Sequence, residues 1–206
     1  MAITAQMVKE LRAATGAGPL DCKKALESND GDLDKAINYL REKGLARAAK
    51  KLGAGRAMNE GVVETYKHFN GRLGVIVEVN CETDFVANTE QFQTFARDIA
   101  LHVANLNPDY IRREDVPEAV VEAERQLQVR RAREEGKPDH IAEKVADGRM
   151  NKFFEEIVLL EQPFLKDDDK TIDQLLSETV AELGESIEIR RFARFELGGE
   201  GDDGDE

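Results

Sequence analysis

The sequence contains no tryptophan, five prolines and only two cysteines among its 206 residues. Cys22 and Cys81 stand far apart and belong to no C-x-x-C pair, so spacing supports neither a disulfide framework nor a zinc knuckle. Each reads as a buried or half-buried thiol, because free cysteine packs as a small hydrophobe, and a reducing compartment fits that usage. Positive charge is also scarce: 29 Lys and Arg face 42 Asp and Glu, giving a net charge of -13 and a pI near 4.8. Phosphate contacts need clustered Lys and Arg, so this balance argues against a general nucleic-acid binder and for a protein partner. Uninterrupted apolar runs are only a few residues long, against the roughly 20 that a membrane-spanning helix needs, and no signal-peptide pattern opens the chain. The expectation is a protein neither exported nor embedded in a membrane.

Catalytic patterns are missing as well. His68, His102 and His140 show no metal-ligand spacing and are expected in structural or surface roles. No G-x-x-x-x-G-K-[ST], G-x-G-x-x-G or G-x-S-x-G occurs, so the chain presents neither a standard nucleotide cradle nor a nucleophile elbow. The acidic run Asp167 to Asp169 lacks EF-hand spacing and is flanked by Lys166 and Lys170, which points to a solvated turn.

What is present is enough apolar content, 41%, to fill a core. Thr4 can cap a helix with Met7, Val8 and Leu11 on its apolar side, ended at Gly16-Ala17-Gly18. Pro19 suits the first position of a second helix with Leu20, Ala25 and Leu26 inward, and Asn29-Asp30-Gly31 stops it. Asp32 starts a third helix, with Leu33, Ala36, Ile37 and Leu40 at helical spacing before a stop at Gly44. Residues 1–44 therefore read as a three-helix module. Residues 45–61, carrying Arg47, Lys50, Lys51, Arg56 and three glycines, read as a basic, partly helical linker.

Residues 62–197 read as a core domain. Asn70-Gly71 between Val62–Phe69 and Arg72–Asn80 signals a hairpin with a two-residue type I′ turn, which puts Val62 and Tyr66 on one face with Leu73, Val75, Val77 and Val79. Phe92, Phe95, Ala96, Ile99, Ala100 and Val103 form the stripe of a core-facing helix. Two charged helices follow, from Val116-Pro117 to about Gly136 and from Pro138 to about Glu161, the second carrying Ile141, Val145, Met150, Phe153, Phe154, Ile157 and Leu160; together they form a helical hairpin. Thr171 can cap a helix with Ile172, Leu175, Leu176 and Val180, ended by Gly184. SIEIRRFARFEL then alternates as a third strand whose phase slips between Ile189 and Phe192. Residues 198–206 are glycine and acid only, and are expected to be a disordered tail.

One stretch stands out within this frame. NCETDFVAN, Asn80 to Asn88, places Phe85 where a buried strand has just ended. Two uses compete for that ring: a staple covering the next helix near Phe92, and an exposed contact offered to a partner.

Taken together, TGAGPLDCKKAL at Thr15 to Leu26 and VNCETDFVAN at Val79 to Asn88 resemble the elongation factor Ts family, bacterial exchange factors for elongation factor Tu. GDLDKAINYLREKG, EEGKPDHIAEKVADGRMNKFFEEIVLLEQPFLKDD and RRFARFELG match further, in the expected order along nearly the whole chain. The resemblance implies an α+β fold: an N-terminal three-helix module similar to ubiquitin-associated (UBA) domains, then about three antiparallel strands packed against helices, with a helical hairpin. The chain resembles the short form of the family, with one core unit, for which a homodimer would supply a second core surface.

The resemblance further implies a cytoplasmic guanine nucleotide exchange factor that is not an enzyme and uses no cofactor. Its partner would be the nucleotide-binding domain of elongation factor Tu, with no membrane and no direct nucleic-acid contact. Thr83, Asp84, Phe85 and Val86 match the segment that dislodges Mg2+ from that partner, with Phe85 as the wedge. Pro19, Leu20, Lys23 and Lys24 match the docking patch of the N-terminal module. Two departures bear on these contacts. The family often has two bulky apolar residues where this chain has Pro19 and Leu20, and a basic residue is common where Asn88 stands. The alternative is a UBA-type protein-binding adaptor with a dimerising core. The opening MAITAQMVKELR reads as the start of an unprocessed bacterial chain.

Overall fold

The computed structural model of the chain describes residues 3–52 and 57–199, excluding the side chains of 47–52. Within that range the protein is α+β, with eight α-helices and a three-stranded sheet. It divides into two compact units: Met1–Gly61 with Asn80–Gln93 and Leu176–Glu188, and Val62–Val79 with Thr94–Leu175 and Ile189–Glu206. The acidic tail beyond Gly199 lies outside the described residues.

The first unit begins with α1 (Ala5–Thr15), whose Thr4 cap accepts a hydrogen bond from Met7 N and whose end is closed by Gly16 at φ 66. α2 (Pro19–Ser28) starts on the proline, and α3 (Leu33–Leu52) starts behind Asp32, which accepts from Lys35 N at 3.0 Å. Leu11, Cys22, Ala25, Leu26, Ala36 and Leu40 make one buried cluster, edged by Met7, Val8, Leu33 and Ile37. Periodicity therefore located this core, with two exceptions. Leu20 does not face inward; it is 74% exposed. Nor does α3 stop at Gly44. A Cβ built on Gly44 would meet the Ala181 Cβ at 3.3 Å, so the glycine permits close helix contact instead of ending the helix.

The second unit holds most of a sheet ordered β1 (Glu60–Lys67), β2 (Leu73–Cys81), β5 (Ile187–Glu196). The pairing phase between β1 and β2 is set by His68 N donating to Leu73 O at 2.9 Å, and Val75, Val77 and Val79 are buried as expected. The turn is not the two-residue type. Gly71 N donates to His68 O, Asn70 Oδ1 accepts from Arg72 N, and only Gly71 takes positive φ, whereas type I′ requires it at both central residues. Asn70 serves here through its side chain. In β5, Arg190 and Arg191 are both exposed in succession, which is the expected slip of phase.

The stripe of α5 (Glu90–Leu106) from Phe92 to Val103 is fully buried, and Arg194 Nε of β5 donates to Ala104 O, so the inner sheet face looks toward this helix. Helices α6 (Glu118–Glu134) and α7 (Asp139–Ile157) form the helical hairpin. Its seam uses Ala132, Ala142 and Ala146, and Ile141 is exposed instead of buried, because small side chains let the two backbones approach. The acidic run is not a loose turn. Asp167–Thr171 is β4, paired antiparallel with β3 (Pro163–Phe164). α8 (Ile172–Leu183) follows at once behind a reciprocal cap, in which Gln174 N donates to Thr171 Oγ1 and Thr171 N to Gln174 Oε1.

His102 is completely buried in this unit. Leu165 N donates to its Nδ1, so Nε2 carries the proton and donates to Gln162 Oε1 at 2.9 Å. Gln162 in turn donates to Glu156 O at 2.7 Å. Burial pushes the His102 pKa below its ordinary 6.5, against the opposing effect of the Gln162 bond.

Candidate functional site

The stretch after β2 is one helical turn, α4 (Asp84–Ala87), capped at both ends by its own sequence. Thr83 is extended, and its Oγ1 accepts from Val86 N at 3.4 Å. At the other end Asn88 N and Nδ2 both donate to Asp84 O, at 3.1 and 2.8 Å. Thr89 Oγ1 donates to Val86 O and accepts from Phe92 N, closing α4 and opening α5 in one residue. Asn88 is thus occupied in holding the turn.

Within that turn the four residues Thr83 to Val86 face different ways. Val86 and Ala87 are buried at 9% and 6% exposure, while Asp84 is exposed and Phe85 is 83% exposed. A staple packed near the fully buried Phe92 would be covered, so the ring is not one. Leaving an aromatic side chain in water forgoes its burial energy, about 2 kcal/mol or more. Val86 anchors the turn so that Phe85 must point outward.

The turn is fastened to the segment after α8. Thr83 N and Oγ1 donate to the two carboxylate oxygens of Glu185, at 3.1 and 2.7 Å, and Ser186 N donates to Glu82 Oε1 at 2.8 Å. Beneath it, Cys81 Sγ donates to Thr83 O at 3.1 Å. Burial pushes the Cys81 thiol up from 9.0 to about 11, with the Glu185 and Glu60 charges adding to the effect, so at neutral pH it is a protonated, unreactive donor. Nothing in the local pattern marked Glu185, which lies 102 residues from Thr83.

The N-terminal residues singled out by sequence share one helix, and α2 sorts them as sharply. It buries Cys22, Ala25 and Leu26 and exposes Pro19, Leu20, Lys23 and Lys24. Lys23 is within 3.8 Å of Glu27, a weak exposed pair. Among the described residues no three His, Cys, Asp or Glu side chains are grouped to hold a metal ion, and no helix is long and apolar enough to cross a membrane. The outward-facing set of an apolar ring, a neighbouring carboxylate, an exposed leucine and two ammonium groups suits recognition of a protein surface.

A second exposed apolar area lies on the sheet of the other unit. Glu78 pairs with Arg191 at 2.6 Å, which puts both on the face away from Val77 and Val79. Alternation then assigns Val63, Ile76 and Phe195 to the same face, all exposed, with Phe195 at 71%. Sequence periodicity described the inner face and said nothing of this one.

The sequence profile of the family described as Elongation factor TS matches residues 4–200. The chain is 60% identical over 196 residues to the elongation factor Ts of Carboxydothermus hydrogenoformans, covering 95% of this chain and 89% of that one. It is 56% identical over 198 residues to that of Geobacter sulfurreducens, covering 96% and 91%. With that of Thermoanaerobacter pseudethanolicus the identity is 57% over 196 residues, covering 95% of each.

Proposed function

The chain belongs to the elongation factor Ts family of translation elongation factors, and from that premise we propose that it releases GDP from elongation factor Tu so that GTP can bind. Such a factor changes no covalent bond. It binds the nucleotide-free partner more tightly than the nucleotide-bound one, and by linkage nucleotide and factor weaken each other equally. What it needs is a group that fits only when the nucleotide site is distorted. Phe85 is that group, inserted near the partner's Mg2+ site, with Asp84 beside it to hydrogen-bond. Displacing the ion removes the main counter-charge of the diphosphate, and GDP leaves.

The observation that carries this reading is the outward Phe85 ring on a turn held from below and from both ends. Order already present in the free protein need not be imposed on binding, so a stiff turn spends little of its contact energy on itself. An aromatic ring adds large contact area with only two side-chain torsions to fix. Thr83 and Val86 act as the frame of the ring. Pro19, Leu20, Lys23 and Lys24 dock on the nucleotide-binding domain of the same partner, Leu20 as the single apolar contact. The working form is a homodimer in the cytoplasm, the two copies pairing through the exposed outer face of the sheet. The test is release of a fluorescent GDP from elongation factor Tu under excess unlabelled GDP. Substoichiometric amounts of this protein speed it if the reading is correct, and an unchanged rate refutes it.

A further inference from the structure

We infer that Glu185 is the positioning residue of the exchange turn, a deepening of the function proposed above and dependent on it. Thr83 Oγ1 has one proton and accepts one bond: the proton goes to Glu185 Oε1, which leaves a lone pair for Val86 N. The Glu185 carboxylate therefore orients the hydroxyl that caps α4 and also takes the Thr83 amide on its second oxygen. Hydrogen bonds to a charged acceptor are the stronger kind, and a two-oxygen grip fixes direction as well as distance.

The grip is reciprocated. Glu82 and Thr83 on one strand end, and Glu185 and Ser186 on the other, each offer one carboxylate and one backbone N–H across the gap. This happens just beyond Cys81, where β2 ends, and just before Ile187, where β5 begins. Gly184, at φ 75 with its N–H on Val180 O, ends α8 and turns the chain so that Glu185 comes back to Thr83.

The same half of α8 holds the N-terminal helices. Glu178 pairs with Arg41 of α3 at 2.5 Å, and Ala181 lies against Gly44. Glu182 meets Gln91 in the first turn of α5. One helix end thus carries the α1–α3 module and the Phe85 turn, and Glu185 is the link to the turn. Glu185 does not need to touch the partner; losing it lowers the fraction of molecules with Phe85 correctly placed, and the observed effect falls by that fraction.

The experiment uses the full chain with Glu185→Gln and Glu185→Ala, measuring GDP release from elongation factor Tu across factor concentrations, and hydrogen exchange of the Thr83 amide. The saturating release rate is expected to fall about tenfold for the alanine variant, and less for glutamine, which keeps one acceptor oxygen. The half-maximal concentration should move less than about threefold, because the α2 contacts remain. A general structural role would instead lower the thermal midpoint and leave the saturating rate of the folded fraction unchanged. Full saturating acceleration by a folded variant overturns the inference. So does a Thr83 amide that exchanges freely in the unaltered protein, a measurement that stands even if a variant fails to fold. If the unaltered protein gives no acceleration, it is the exchange function itself that fails.

Discussion

Phe85 and Val86 are adjacent and have opposite environments, the first exposed and the second buried. A single residue step along a helix separates them by about 100°, enough to send one side chain to water when the other is anchored. The motif TDFV was legible in the sequence because it is contiguous; its fastening to Glu185 was not, because that contact is made across 102 residues and leaves no periodic trace. His102 was equally opaque. It sits on the apolar stripe of α5, and only the fold brings Gln162 and the Leu165 amide to its ring. Its lowered pKa has a signed consequence. The unfolded chain takes up a proton near the ordinary 6.5 while the folded chain resists, so stability is full above that pH and is lost as pH falls below it. The thermal midpoint should fall between pH 7.5 and 5.5, and His102→Gln should flatten that dependence while lowering the midpoint at pH 7.5 by about 2–8 °C, readable by calorimetry.

At the scale of elements, amphipathic helices were legible wherever one face is buried: α1, α5 and α8 follow their apolar spacing closely. Elements with little apolar signal were not. β4 is Asp167–Thr171, four of whose five residues are charged, and it exists because Phe164 and Ile172 on either side are buried and the chain between them pairs back on itself. Gly44 misled for a related reason: glycine ends helices by its backbone freedom, but here it is kept for lack of a side chain. The start of α8 was foreseen correctly from Thr171, and the structure adds Gln174 as its reciprocal partner. Thr171→Ala should cost about 1 kcal/mol and lower the thermal midpoint by about 2–4 °C. Because Glu185, just beyond the far end of α8, is held by its own bonds to Thr83, that variant should raise hydrogen exchange in the first turn of the helix more than at its end.

For the whole molecule, we propose two different partners for two exposed apolar features. The sheet covers α5 with one face and leaves Val63, Ile76 and Phe195 on the other, the arrangement of a layer awaiting a second layer. Two identical faces related by a two-fold axis satisfy that need without any new surface. Ile76→Glu should then convert a dimer to a monomer at micromolar concentration, seen as a halved mass by light scattering, with secondary structure unchanged; a monomeric unaltered protein would remove this part of the account. The net charge of -13 opposes non-specific association, and against that background Lys23 and Lys24, the two cations of α2, are both exposed. The other feature is the Phe85 ring. Its most direct test is stopped-flow release of fluorescent GDP from elongation factor Tu at saturating factor, comparing the unaltered chain with Phe85→Ala. Because the ring is 83% exposed, the variant should keep its thermal midpoint within about 2 °C. Its saturating release rate should fall at least about tenfold, the loss of one well-packed aromatic anchor. An unchanged rate from the folded variant would contradict it.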